Sequence, residues 1–169
     1  MSWIRKEEMG DEGAISKLLQ LAFAGHPHSR QTEHLIVQEL RKANALTLAY
    51  VAVSDEGRVI GYIAFSPVEI GHDSQGWYGL GPIAVLPEVQ NKGVGSELMK
   101  HGLQALRSLG ALGCVLVGEP AYYARFGLGS CPELRVEGVP QEYVLGYAWG
   151  EAIPSGEVVF HKAFAASVG

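Results

Sequence analysis

The sequence predicts a mixed α/β domain, a central sheet with helices packed against it. Three observations carry this. Hydrophobic residues make up 47% of the 169 and charged residues 18%, which excludes the low hydrophobicity and high net charge of a wholly disordered chain. Apolar residues recur with a helical period in some stretches and form β-rich runs in others. The order of those stretches is two helices, three strands on short connections, a helix and further strands, which gives a sheet covered by helices. A chain of this length fits one domain, residues 1–169, and buries enough surface to need no metal or disulfide staple.

Each element has a local reason. Residues 2–7 (SWIRKE) alternate loosely, as a short edge strand does. Asp11 reads as the N-cap of a helix in which Ile15, Leu18, Leu19, Ala22 and Phe23 recur at helical spacing, ended by Gly25 and Pro27. A second helix spans about 31–43, with Leu35, Ile36, Glu39 and Leu40 periodic along it. The β-rich runs 47–54 and 59–67 flank Asp55-Glu56-Gly57-Arg58, a hairpin signature in which glycine supplies the positive φ of a tight loop. Residues 77–86 (WYGLGPIAVL) are almost wholly apolar, as in a central strand covered on both faces. Between 93 and 108, Val94, Leu98, Met99, Gly102, Leu103 and Leu106 form a helical stripe closed by Gly110. Residues 114–118 (CVLVG) are a short buried strand, Pro120 opens a short helix that Gly127 stops, and strands near 143–147 and 158–162 follow.

Composition narrows the function. The formal charge of −5 weighs against a duplex nucleic-acid binder, which carries a basic face. No apolar run approaches the ~20 residues of a membrane span, and residues 1–10 hold no signal-peptide core. The expectation is a cytoplasmic protein with neither nucleic-acid nor membrane partners; a homodimer is possible and the oligomeric state stays open. Cys114, inside CVLVG, reads as core, and Cys131, in a Gly-Ser-Cys-Pro loop, as an exposed free thiol. Six histidines show neither HxH nor HExxH spacing, so no metal site is expected.

The chemistry concentrates in residues 83–98 (IAVLPEVQNKGVGSEL). A hydrophobic strand runs into Pro87, then a loop of Gln90, Asn91, Lys92, Gly93, Val94 and Gly95, then directly a helix. This brings free backbone N–H groups and the positive end of a helix dipole to one point. Gly93 and Gly95 would let an anion approach the backbone, which suits a phosphate or pyrophosphate. The loop is not a P-loop, because Lys92 precedes the glycine. Nor is it a dinucleotide fingerprint, because Leu98 stands where the third glycine belongs.

Gln-x-x-Gly-x-Gly between a strand and a helix resembles the pyrophosphate motif of the GCN5-related N-acetyltransferases (GNAT), which use acetyl-coenzyme A. Tyr122-Tyr123-Ala124-Arg125-Phe126-Gly127-Leu128 is similar to that superfamily's aromatic-Tyr-x-x-x-Gly-Phe segment, with Leu128 in place of Phe. Further runs, Phe65-Ser66-Pro67, Gly81-Pro82-Ile83-Ala84-Val85, Pro120–Gly127 and Phe160-His161-Lys162-Ala163-Phe164, resemble the predicted bacterial acetyltransferases of the YhbS type. The resemblance covers essentially the whole chain. It implies a mostly antiparallel sheet of about seven strands with about four helices, splayed between the fourth and fifth strands.

The resemblance also implies roles. Amides of Gln90, Asn91, Lys92, Gly93, Val94, Gly95 and Ser96 would hold the pyrophosphate of acetyl-coenzyme A. Main-chain groups of Ile83, Ala84 and Val85 would pair with the pantetheine arm as an added strand, and one N–H there would polarise the thioester carbonyl. Tyr123 takes the place of a general acid: a phenol of pKa near ~10 stays protonated at pH 7 and can protonate a departing thiolate. Tyr122 reads as the packing member of the pair. Glu119, where the sheet opens, is the first candidate for the base; Glu69, His72, Asp73, His26 and His28 remain open beside it. The acceptor would be a primary amine of a small molecule or protein, bordered by residues 25–32, 70–77 and 130–144. A coenzyme A-binding sensor without turnover is the alternative.

Overall fold

A computed structural model of the chain describes residues 2–71, 75–150 and 152–166. β1 (Ser2–Lys6) leads to α1 (Glu12–Phe23) and α2 (Glu33–Lys42). β2 (Leu48–Ser54), β3 (Val59–Ile70) and β4 (Trp77–Val85) form an antiparallel meander, followed by α3 (Val94–Ser108), β5 (Gly113–Val117) and α4 (Pro120–Ala124). Two strands of two residues, β6 (Gly129–Ser130) and β7 (Leu134–Arg135), precede β8 (Val144–Ala148) and β9 (Gly156–Phe160). The seven longer strands and four helices are those indicated by the sequence. The two short strands are too brief for any period to register.

The main sheet path is β1-β2-β3-β4-β5-β8-β6, antiparallel throughout except for the β4–β5 pair. β9 does not join β8. It pairs antiparallel with Val68–Ile70 of β3 and parallel with β7. β3 thus runs past Pro67, which falls between the last rung to β2, at Phe65, and the first rung to β9, at Val68. A residue without an N–H is tolerated where neighbours change.

Alternation along β3 sorts the two layers. Gly61 and Phe65 meet α3. A Cβ at Gly102 would lie 2.7 Å from Cε1 of Phe65, and one at Gly61 would lie 2.9 Å from Cδ1 of Leu98. These two glycines let α3 sit close against the sheet. On the other face the buried Tyr62 hydroxyl donates to Oε1 of Glu7 at 2.9 Å, which also accepts from Nη2 of Arg41 at 2.9 Å. The three residues tie the end of β1, α2 and β3 together.

Two sequence-based expectations change. Asp11 does not cap α1 through its side chain. Its carboxylate accepts the Glu8 N–H at 2.7 Å and both Nη atoms of Arg5 at 2.8 and 3.0 Å, closing the preceding 3-10 turn onto β1. Hydrogen bonding to Arg5 holds this carboxyl below the usual aspartate range. Cys131 is not exposed: at 4% accessibility it packs with Val68, Trp77, Val115, Leu134 and Val158. The polar loop around it suggested solvent, but the short β6 and β7 fold that loop onto the sheet. Cys114 is core as expected, and burial, with Cys131 nearby, pushes its thiol up to about 12.

Candidate active site

The site begins where two parallel strands part. β4 and β5 pair only at Trp77–Gly113, Tyr78–Cys114 and Gly79–Val115. Beyond Gly79 a register shift opposite β3, between Ile63 and Phe65, inserts one extra residue into β4 and bends it away. Gly81, at φ 145°, lies in this bulge, and a Cβ there would meet nothing within 4 Å. The sheet is therefore open between residues 81–85 and the end of β5.

Main-chain directions in this opening follow from one hydrogen bond. The Leu86 N–H donates to the Ile60 carbonyl at 2.9 Å. Hydrogen-bonded pairs alternate along an antiparallel ladder, so Ala84, opposite Tyr62, turns its own main chain to β3. Ile83 and Val85 turn theirs into the gap. Of the three residues expected to offer main-chain groups there, Ala84 is thus already committed. Nε2 of Gln90 donates to the Val85 carbonyl at 3.1 Å, securing the loop to the strand end.

The loop then delivers an open helix terminus. Asn91 (φ 63°) and Gly93 (φ 89°) have positive φ on either side of Lys92, an alternation of sign that shapes backbone N–H groups into an anion-binding concavity. Gly93 is the N-cap of α3, and no side chain caps the helix. Glu97 N–H is the first to reach back, to the Gly93 carbonyl at 3.0 Å. The N–H groups of Val94, Gly95 and Ser96 come before it and have no intrahelical acceptor. The two glycines differ. Gly93 is required by its φ and faces open space; Gly95 is required by a neighbour, because a Cβ there would lie 2.8 Å from the Tyr122 hydroxyl.

α4 supplies that neighbour. Pro120 occupies its first turn and Gly127, at φ 88°, follows it, as the sequence indicates. Tyr123 lies over the end of β5: a Cβ at Gly118 would fall 2.6 Å from its Cε2. Gly118 is a site residue that local pattern did not expose, since its role is to leave room for a ring five positions on. Burial, and secondarily Tyr122, push the Tyr123 phenol up to about 12, so it stays protonated at neutral pH. Its hydroxyl makes no hydrogen bond among the described residues.

The expected bases are scattered. Glu119 is exposed at the N-cap of α4, just beyond the end of β5 at Val117. Glu69 is exposed opposite Val159, in the part of β3 that leaves the opening for β9. His26 and His28 are exposed between α1 and α2. His72 and Asp73 lie outside the described residues. Ser66, on the rung opposite Gly79, is fully buried, and its Oγ has no partner among the described residues.

A gap in the sheet with free strand main chain thus stands beside an uncapped helix terminus. Residues 14–128 match the model of the Acetyltransferase (GNAT) family, and the chain belongs to that family. It is accordingly an acetyl-CoA-dependent N-acetyltransferase. It is 38% identical over 124 residues to the uncharacterized N-acetyltransferase YhbS of Escherichia coli K12, covering 73% of this chain and 71% of that one. The crystal structure of a GNAT family acetyltransferase from Brucella melitensis in complex with acetyl-CoA superposes with a TM-score of 0.87 at 44% identity, covering 97% and 98% of the two chains. That of Escherichia coli YhbS in complex with CoA gives 0.89 at 32% identity, covering 98% and 92%.

Proposed function

We propose that the protein transfers the acetyl group of acetyl-CoA to a primary amine by direct attack within a ternary complex. The uncapped α3 terminus, set at the open end of the β4–β5 gap, carries this reading. The pyrophosphate takes the N–H groups of Val94, Gly95 and Ser96, where the helix dipole adds to the attraction. The pantetheine arm lies along β4 and pairs with the main chain of Ile83 and the Val85 N–H, a strand-like addition. This leaves the thioester toward the bulge at Gly81.

The neutral amine attacks the carbonyl carbon, a C–N bond forms, and the C–S bond breaks as the tetrahedral intermediate collapses. The departing thiolate takes its proton from Tyr123, which is protonated at neutral pH, and the resulting phenolate regains a proton from solvent. The proton lost by the amine passes to a base, for which Glu119 is the candidate. Residues 1–169 act as one domain in this reading.

The test is calorimetry with acetyl-CoA, followed by detection of free thiol over a panel of small amines and Lys-bearing peptides. Binding together with thiol release for at least one amine supports the transferase. Tight binding with no release for any amine would instead mark a coenzyme A sensor.

A further inference from the structure

We propose that the Tyr122 hydroxyl is a coenzyme-binding group that donates a hydrogen bond to the pyrophosphate at the first turn of α3. This rests on the placement of acetyl-CoA given above and assigns a role to a residue whose sequence context indicated packing alone. Tyr122 reaches from α4 across the mouth of the gap. Its Oη lies 2.8 Å, and Cγ2 of Val85 3.7 Å, from the point where a Gly95 Cβ would stand. The phenol, the open helix turn and the end of β4 therefore converge on one spot.

What converges there is donors. The Gly95 and Ser96 N–H groups lack intrahelical acceptors, and Oη of the half-buried Tyr122 makes no hydrogen bond among the described residues. A cluster of donors without a protein acceptor is a recess for an anion. The ring is also held in place. Tyr123 and Phe126 pack edge-on to it at 4.9 and 5.6 Å between centroids, and the Arg125 guanidinium sits 4.8 Å over its face. Rotating the hydroxyl away would break these contacts, so the donor is pre-positioned. The arrangement also accounts for glycine at 95, since any Cβ would displace the hydroxyl.

The experiment is calorimetry of the full chain and Tyr122→Phe with CoA, with 4′-phosphopantetheine and pantetheine as competitors. Tyr122→Phe keeps the ring and its packing, and its melting temperature should be unchanged. CoA affinity is expected to fall about ten- to a hundredfold, the range for deleting a hydrogen bond to a charged acceptor. The loss should persist with 4′-phosphopantetheine and vanish with pantetheine, which has no phosphate. Gly95→Ala should weaken CoA binding in the wild-type background and much less in Tyr122→Phe, because both act on the same hydroxyl. Affinity within twofold of wild type in Tyr122→Phe would overturn the proposal while leaving the coenzyme placement intact. An equal loss with pantetheine would overturn the assignment to the phosphate. Failure of the unmodified protein to bind CoA would overturn the placement itself.

Discussion

The β4–β5 opening with its α3 turn and the connection between α1 and α2 are built from different materials. Toward α3 the groups on offer are main chain: Ile83 and Val85 in the gap, then the N–H groups of Val94, Gly95 and Ser96 at an uncapped terminus. The connection between α1 and α2 instead carries exposed side chains, His26 and His28 among them. In the proposed placement the main-chain cradle meets a chemical group that never changes, the pyrophosphate and amide-bearing arm of coenzyme A. Loop side chains can be altered without disturbing the sheet, which suits the side that chooses an acceptor.

The sharpest break of this contrast is at Tyr123. Tyr123→Phe should lower kcat by 10²–10⁴-fold with little change in the dissociation constant of acetyl-CoA, since general acid catalysis is lost and the ring stays. The loss should shrink for an acyl donor whose thiol has a lower pKa. With Tyr123 raised to about 12, it is ionised only at strongly alkaline pH. The pH profile of kcat should therefore show no falling limb from this group between pH 7 and 10. Retention of near-full kcat, with chemistry shown to limit the rate, would make Tyr123 a structural aromatic.

Next is the turn itself. Gly93→Val should weaken CoA binding by tenfold or more, about 1.4 kcal/mol per factor of ten. A β-branched residue at φ 89° is strained and should pull the turn out of shape. Unchanged affinity in a folded Gly93→Val protein would remove the turn from the site. Gly118→Ala should be milder, lowering kcat by about tenfold through displacement of the Tyr123 ring, in line with the cost of a small misplacement of a catalytic group. It should add little to the defect of Tyr123→Phe. Smallest of all on the coenzyme side, His26→Ala and His28→Ala should leave the CoA dissociation constant unchanged and alter KM for the acceptor alone. A fall in CoA affinity from either would erase the division between the two sides.

How much of this was legible in the sequence follows the same division. The α3 turn was readable because it depends on order alone: apolar strand, glycines, helical stripe from Val94 to Leu106. The opening beside β4 was implied by the family resemblance and appears as three parallel rungs and a bulge. The pairing of β9 with the far end of β3 was not legible, since residues 156–160 say that a strand forms but not which edge it meets. Cys131 was misjudged because burial came from two-residue strands that leave no period. Gly118, and the closeness of the Tyr122 hydroxyl to Gly95, were not legible for one reason: each is defined by what approaches it in space. A glycine kept free for a ring looks, in sequence, like any glycine in a turn.

The central claim, that open amides of the α3 terminus hold the coenzyme, is tested most directly by Ser96→Glu. Position 96 is the third of the helix, where a carboxylate complements the dipole and can cap the N–H of the N-cap residue, so the fold should melt at the same temperature or higher. The same carboxylate would occupy the anion recess and repel pyrophosphate. The account predicts opposite signs from one substitution: undiminished thermal stability together with CoA binding weakened at least tenfold in calorimetry. Unaltered CoA affinity in that stable variant would contradict it.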